Sequence, residues 1–152
     1  MSNESVFKYG TQKTITTTGA ATATNAVSAA AGTYAASDTA GYPDAEFALI
    51  TQTWAGTPTA NTTIDLYVRP LDIQSTNDQE APAVPGSTTS WKGRYVCSFV
   101  MPGAGTGAIK LWAEGFNLPK DGEFYVYNNG TGQSLAVNWA LYMTPRTYGP
   151  AA

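Results

Sequence analysis

Leu135-Ala-Val-Asn-Trp-Ala-Leu-Tyr-Met143 alternates without a break: Leu135, Val137, Trp139, Leu141 and Met143 fall on one side, and Ala136, Asn138, Ala140 and Tyr142 on the other. A period of two over such a stretch describes a strand with one buried face, which no amphipathic helix reproduces. Upstream, residues 108–134 repeat the pattern in shorter runs. They are punctuated by turn signals at 115–119, at Asp121 and Gly122, and at 128–132. The chain therefore reads as an antiparallel β-domain.

Working outward from this segment adds further strands. Residues 46–54 place Phe47, Leu49 and Thr51 on one side, and residues 62–71 turn Ile64, Leu66 and Val68 inward. Pro70 lacks a ladder donor, which marks an edge or a fraying end there. In residues 91–101, Trp91, Gly93, Tyr95, Cys97, Phe99 and Met101 share a face. Ile109, Leu111 and Ala113 oppose Lys110, Trp112 and Glu114, and Phe124 and Val126 oppose Tyr125 and Tyr127. With an edge strand at 12–18 the count is seven. One more, from the leader or the long connection, makes the eight of a double-sheet jelly roll. The rival is an immunoglobulin-like sandwich, but the Cys–Trp–Cys spacing of that fold is absent. The expectation is an all-β antiparallel sandwich, jelly-roll-like, with an extended N-terminal arm.

The chain divides at residue 43, into a 1–43 arm and a 44–152 sandwich. Residues 1–42 contain few large apolar side chains, and 19–41 is an Ala/Thr/Ser tract that cannot build a core of its own. Such a tract is disordered, forms a short Ala-rich helix at 27–36, or becomes ordered by a neighbouring subunit. The last reading makes it an assembly arm. Residues 72–90, with Pro82, Pro85 and Gly86, form a long polar connection of the kind that carries contacts.

Composition narrows the function. The 152 residues make one domain, able to bury a core without staples. Only 12% of residues are charged, against about 25% in an ordinary soluble domain, which suits a surface that meets other subunits. The net charge is -3 and the eight Lys and Arg residues never cluster, so direct binding of nucleic acid is not expected. The single cysteine, Cys97, forms no internal disulfide and reads as a small buried hydrophobe. No stretch approaches the roughly 18 apolar residues of a membrane span. Residues 1–7 lack the features of a signal peptide, so synthesis in a cytoplasm without an export signal is expected.

Chemistry is scarce. There is no histidine, which removes His-based acid–base work, the Ser and Cys triads and ordinary catalytic zinc sites. Glu114 and Glu123 are the best carboxylate pair for glycoside hydrolysis, although turn and strand-end positions explain both. The glycines of 103–107 suit a turn rather than a phosphate loop, and the Asn61 glycosylation triplet is incidental without secretion. Asp72, Asn77, Asp78 and Glu80 are oxygen ligands for calcium without EF-hand spacing. No catalytic residue, cofactor or metal is assigned. The tryptophans point elsewhere: Trp139 reads as core, whereas Trp112 points outward, to stack on a sugar or anchor a protein contact. The candidate interface comprises Tyr9, Ile15, Tyr34, Tyr42, Tyr67, Trp112, Tyr125 and Tyr127.

Four phrases are similar to a known family. They are Ala60-Asn-Thr-Thr-Ile-Asp-Leu-Tyr-Val-Arg-Pro-Leu71, Gly115-Phe-Asn-Leu-Pro-Lys-Asp-Gly-Glu-Phe124, Asn128-Asn-Gly-Thr-Gly-Gln133 and Leu141-Tyr-Met-Thr-Pro-Arg-Thr-Tyr148. In this order they resemble small structural proteins of tailed-bacteriophage virions over residues 44–148. The leader does not match, and the likeness brings no functional residues. It implies a particle component, with a capsid decoration or cement protein as the leading expectation and a tail or head–tail component as the alternative. A carbohydrate-binding module on the particle surface is a third reading. The implied partners are the major capsid protein or other virion proteins and further copies of the chain, with a trimer favoured by analogy and the capsid surface as location.

Overall fold

The structure, a computed structural model, describes residues 5–71 and 93–150. Trp91 and the proposed calcium ligands Asp72, Asn77, Asp78 and Glu80 lie outside the described residues. Among the described residues, ten strands and one helical turn follow in order: β1 Ser5–Tyr9, β2 Lys13–Gly19, β3 Ala26–Val27, β4 Gly32–Tyr34, α1 Ala36–Thr39, β5 Asp44–Ile50, β6 Thr63–Pro70, β7 Arg94–Val100, β8 Lys110–Gly115, β9 Gly122–Asn129 and β10 Trp139–Pro150.

In the first sheet β10 pairs with β5, which pairs with β8. The other edge of β10 is taken by β2 along its first half and β1 along its last. The second sheet is built the same way: β9 pairs with β6, which pairs with β7, while β3 and β4 follow one another along the free edge of β9. Counting β1 with β2, and β3 with β4, as single interrupted strands turns ten into eight. Apart from β6 and β7, which pair within one sheet, successive strands among these eight lie in opposite sheets. This is the jelly-roll order, with every pairing antiparallel. The strand that completes the count, β3 with β4, comes from the leader.

Between the sheets, Phe47, Leu49, Ile64, Leu66, Val68, Phe99, Met101, Phe124, Val126, Leu141 and Met143 are fully buried, as the alternation predicts. Phe124 stacks on Tyr34 at 5.0 Å and meets Phe47 edge-on at 5.3 Å, the two arrangements that aromatic quadrupoles favour. Cys97 is buried as expected, and desolvation pushes its thiol pKa well above the ordinary value.

Four readings are corrected. First, the leader does not stand outside the sandwich as an extended segment. Its strands complete both sheets of its own chain, and Tyr34 contributes a core side chain whose hydroxyl donates to Pro119 O at 2.6 Å. Small residues serve where the chain runs under a large one: the Trp139 ring lies on Gly19, where an added Cβ would meet it at 2.1 Å. Second, 27–36 is not a helix; α1 is a single turn at Ala36–Thr39. Third, the 135–143 stretch is not one strand. Asn138 takes a left-handed φ of 64° and breaks the alternation, so Val137 is exposed while Leu135 and Trp139 are both buried. Fourth, the ladder between β6 and β7 slips between Leu66 and Tyr67, which turns Tyr95 outward and Val96 inward.

Candidate interaction faces

Strand register assembles an aromatic and charged outer face on the first sheet. Trp112 lies opposite Ala48, which lies opposite Tyr142. In the next row Glu114 faces Glu46, and Glu46 faces Thr144; beyond it Arg146 pairs with Tyr9, and Tyr148 with Phe7. Arg146 organises this face. It is 3% exposed, its Nη1 donates to Glu46 Oε1 at 3.1 Å and Glu114 Oε1 at 2.9 Å, and its Nη2 lies 2.8 Å from Glu114 Oε2. The Phe7 and Phe116 rings stand 4.8 and 5.5 Å from the guanidinium carbon, within cation–π range. Tyr9 Oη donates to Glu46 Oε1 at 3.1 Å. Around this hub Phe7, Tyr9, Phe116 and Tyr148 are each more than half exposed, and Trp112 is 62% exposed.

The hydrogen bonds from Arg146 hold the Glu114 carboxyl below its ordinary 4.5. Asp38 is likewise lowered from 3.8: burial opposes this, but hydrogen bonds from Lys13 and from the Ala35 N–H outweigh it. A depressed folded value means that the unfolded chain takes up more protons in acid. The stabilisation is therefore complete above the ordinary values and is lost as pH falls below about 4.5. Thermal melts from pH 7 to 3 are expected to show the midpoint falling below that point, and Glu114→Gln to show a shallower decline. Identical pH slopes for the two proteins would contradict the role of Glu114.

The second sheet presents tyrosines on its outer face. Tyr67 is paired across the ladder with Tyr125 and meets Tyr95 edge-on at 5.8 Å; Tyr127 follows on β9. Charges on this side are already engaged. Asp65 accepts from Ser98 Oγ at 2.5 Å and from Asn129 Nδ2 at 2.9 Å, while Arg69 pairs with Glu123, which also accepts from Tyr125 Oη at 2.6 Å.

The eight candidate interface residues thus divide. Tyr9 and Trp112 share the first outer face. Tyr67, Tyr125 and Tyr127 share the second, although Tyr125 is buried there rather than exposed. Tyr34 belongs to the core and Ile15 packs against it. Tyr42 is half-buried and lines a shallow depression with Pro43, Leu118 and Pro119. Glu114 and Glu123 point from opposite outer faces and share no cleft. Glu46 and Glu114 are brought together instead, but Arg146 keeps Glu114 ionised, the reverse of what a general acid needs. Sequence reasoning missed Phe7, Glu46, Tyr95, Phe116, Arg146 and Tyr148. The Phe7–Tyr9 and Arg146–Tyr148 alternations carry the signal, but only the long-range pairing of β1 with β10 joins them.

Among the described residues, no group of three acidic or cysteine side chains is placed to hold a metal, and no helix is long and apolar enough to cross a membrane. The fold and its surfaces define a class: a jelly-roll sandwich whose distinctive chemistry lies on its two outer sheet faces. No family model, curated protein or solved structure matches the chain.

Proposed function

We propose that this chain is a structural component of a tailed-phage virion, a decoration or cement subunit that strengthens the head by bridging neighbouring subunits. The observation that carries the reading is the outer face of the second sheet. Tyr95 and Val100 are more than half exposed there, beside the half-buried Tyr67 and Tyr127, while the nearby charges are satisfied within the chain. Exposed aromatic and aliphatic side chains among charges already paired within the chain suit an interface core, where aromatic residues are enriched. The phrase resemblance over 44–148 supports the virion setting, and the major capsid protein is the proposed partner. Further copies of the chain, in a trimer by analogy with decoration proteins, complete the contact set.

Docking through neutral contacts implies weak salt dependence, because apolar burial and strand-edge hydrogen bonds are little screened. Occupancy on particles is expected to hold as NaCl rises from about 0.1 to 1 M, where the screening length falls from about 10 to 3 Å. Tyr95→Ala is expected to lower occupancy at both concentrations. Loss of most copies with salt alone would overturn neutral docking. A map of the whole particle without the chain on the head would overturn the decoration reading.

A further inference from the structure

We propose that the depression beside Trp112, on the first sheet's outer face, is a binding site for a neutral saccharide. It is lined by Glu46, Trp112, Ala113 and Glu114, and the small Ala48 opposite Trp112 keeps the neighbouring surface low. The Trp112 indole supplies an exposed apolar ring for the C–H face of a sugar, since aromatic side chains combine large contact area with few rotatable bonds.

The polar groups around the ring match hydroxyls rather than an ion. Arg146 fixes both carboxylates, yet a carboxylate has about four acceptor positions, so Glu114 retains capacity after its two contacts with Arg146. Both protein contacts of Glu46 are made through Oε1, which leaves Oε2 for another donor. Lys110 Nζ lies over the Trp112 ring, 6.0 Å from its centroid and at the outer limit of cation–π range, and supplies a donor beside it. Two carboxylates and two cations cancel, so nothing there selects a charged ligand. A hydroxyl both donates and accepts, so the closely spaced hydroxyls of a sugar can use both sets. Because Arg146 is buried and clamped, the acceptors are held in place before the ligand arrives, which lowers the ordering cost of binding. The site faces away from the tyrosine face of the second sheet and stands whether or not the chain decorates a capsid.

The test titrates cellohexaose, maltohexaose and chitohexaose into the full chain, followed by calorimetry and tryptophan fluorescence, with oligogalacturonate as the acidic control. Saturable binding of at least one neutral sugar at millimolar concentration is expected. Trp112→Ala should weaken it by about tenfold or more without moving the denaturation midpoint, and Glu114→Gln should weaken it several-fold. Tyr95→Ala, on the opposite face, should leave it unchanged. Binding that survives Trp112→Ala, failure of all three neutral sugars, or equal affinity for oligogalacturonate would overturn the proposal. So would release of the Trp112→Ala chain from particles without any effect on sugars, since the face would then be a protein contact.

Discussion

Trp139→Ala is expected to destabilise the fold by about 3–5 kcal/mol, the range for truncating a packed large aromatic. Trp139 is fully buried, covers Gly19, and donates from Nε1 to Ala20 O at 2.7 Å. Removal leaves a cavity in the core over Gly19 and strips that carbonyl of its donor, two losses that add. Against a total stability of about 5–15 kcal/mol for a domain, this is enough to leave a sizeable unfolded fraction. Trp112→Ala should stay within about 0.5 kcal/mol, as surface substitutions do. Denaturant melts of the two variants decide: the midpoint should move strongly for Trp139→Ala and barely for Trp112→Ala. Equal large losses would show that Trp112 packs inward.

The second large effect concerns the leader. Deleting residues 1–34 is expected to abolish folding, whereas deleting residues 1–9 leaves a folded domain. The longer deletion removes one edge strand from each sheet, and with them the buried Ala26, Val27 and Tyr34 and the carbonyl that receives Trp139. Each fully buried large side chain contributes roughly 1.5–3 kcal/mol, and the newly bared edges of β9 and β10 lose their ladders. Among the described residues the shorter deletion removes only β1, whose Val6, Phe7 and Tyr9 are exposed and outside the core. Hydrogen exchange on the isolated, intact chain gives an independent measure. The amides of Asn25, Ser28 and Ala31 donate to Asn128, Val126 and Phe124 and should be protected without any partner. Exchange there at unfolded-chain rates would restore the arm reading.

The all-β class and most inward faces were legible because they depend on local alternation. Phe47 and Leu49, Ile64 to Val68, and Phe124 and Val126 each declare a side through their immediate neighbours, and a two-residue period needs no long-range information. Trp112 was placed outward by the same logic. The logic failed wherever the backbone changed hand or register: at Val137, turned out to solvent beside the left-handed Asn138, and at the slip opposite Leu66, which turns Tyr95 over. Neither leaves a mark on polarity.

The leader misled for a different reason. Its residues are small because they pass beneath Trp139 and beside β9, so their worth lies in contacts with residues about a hundred positions away. The same distance hid the hub of the first sheet, since Tyr9, Glu46, Glu114 and Arg146 are ordinary surface residues until β1, β5, β8 and β10 are laid side by side. Alternation along the chain determined which residues enter the core. Strand order, the membership of the leader in both sheets, and the buried Arg146 with its two carboxylates were decided by tertiary closure, because pairing energy is realised only once distant strands meet.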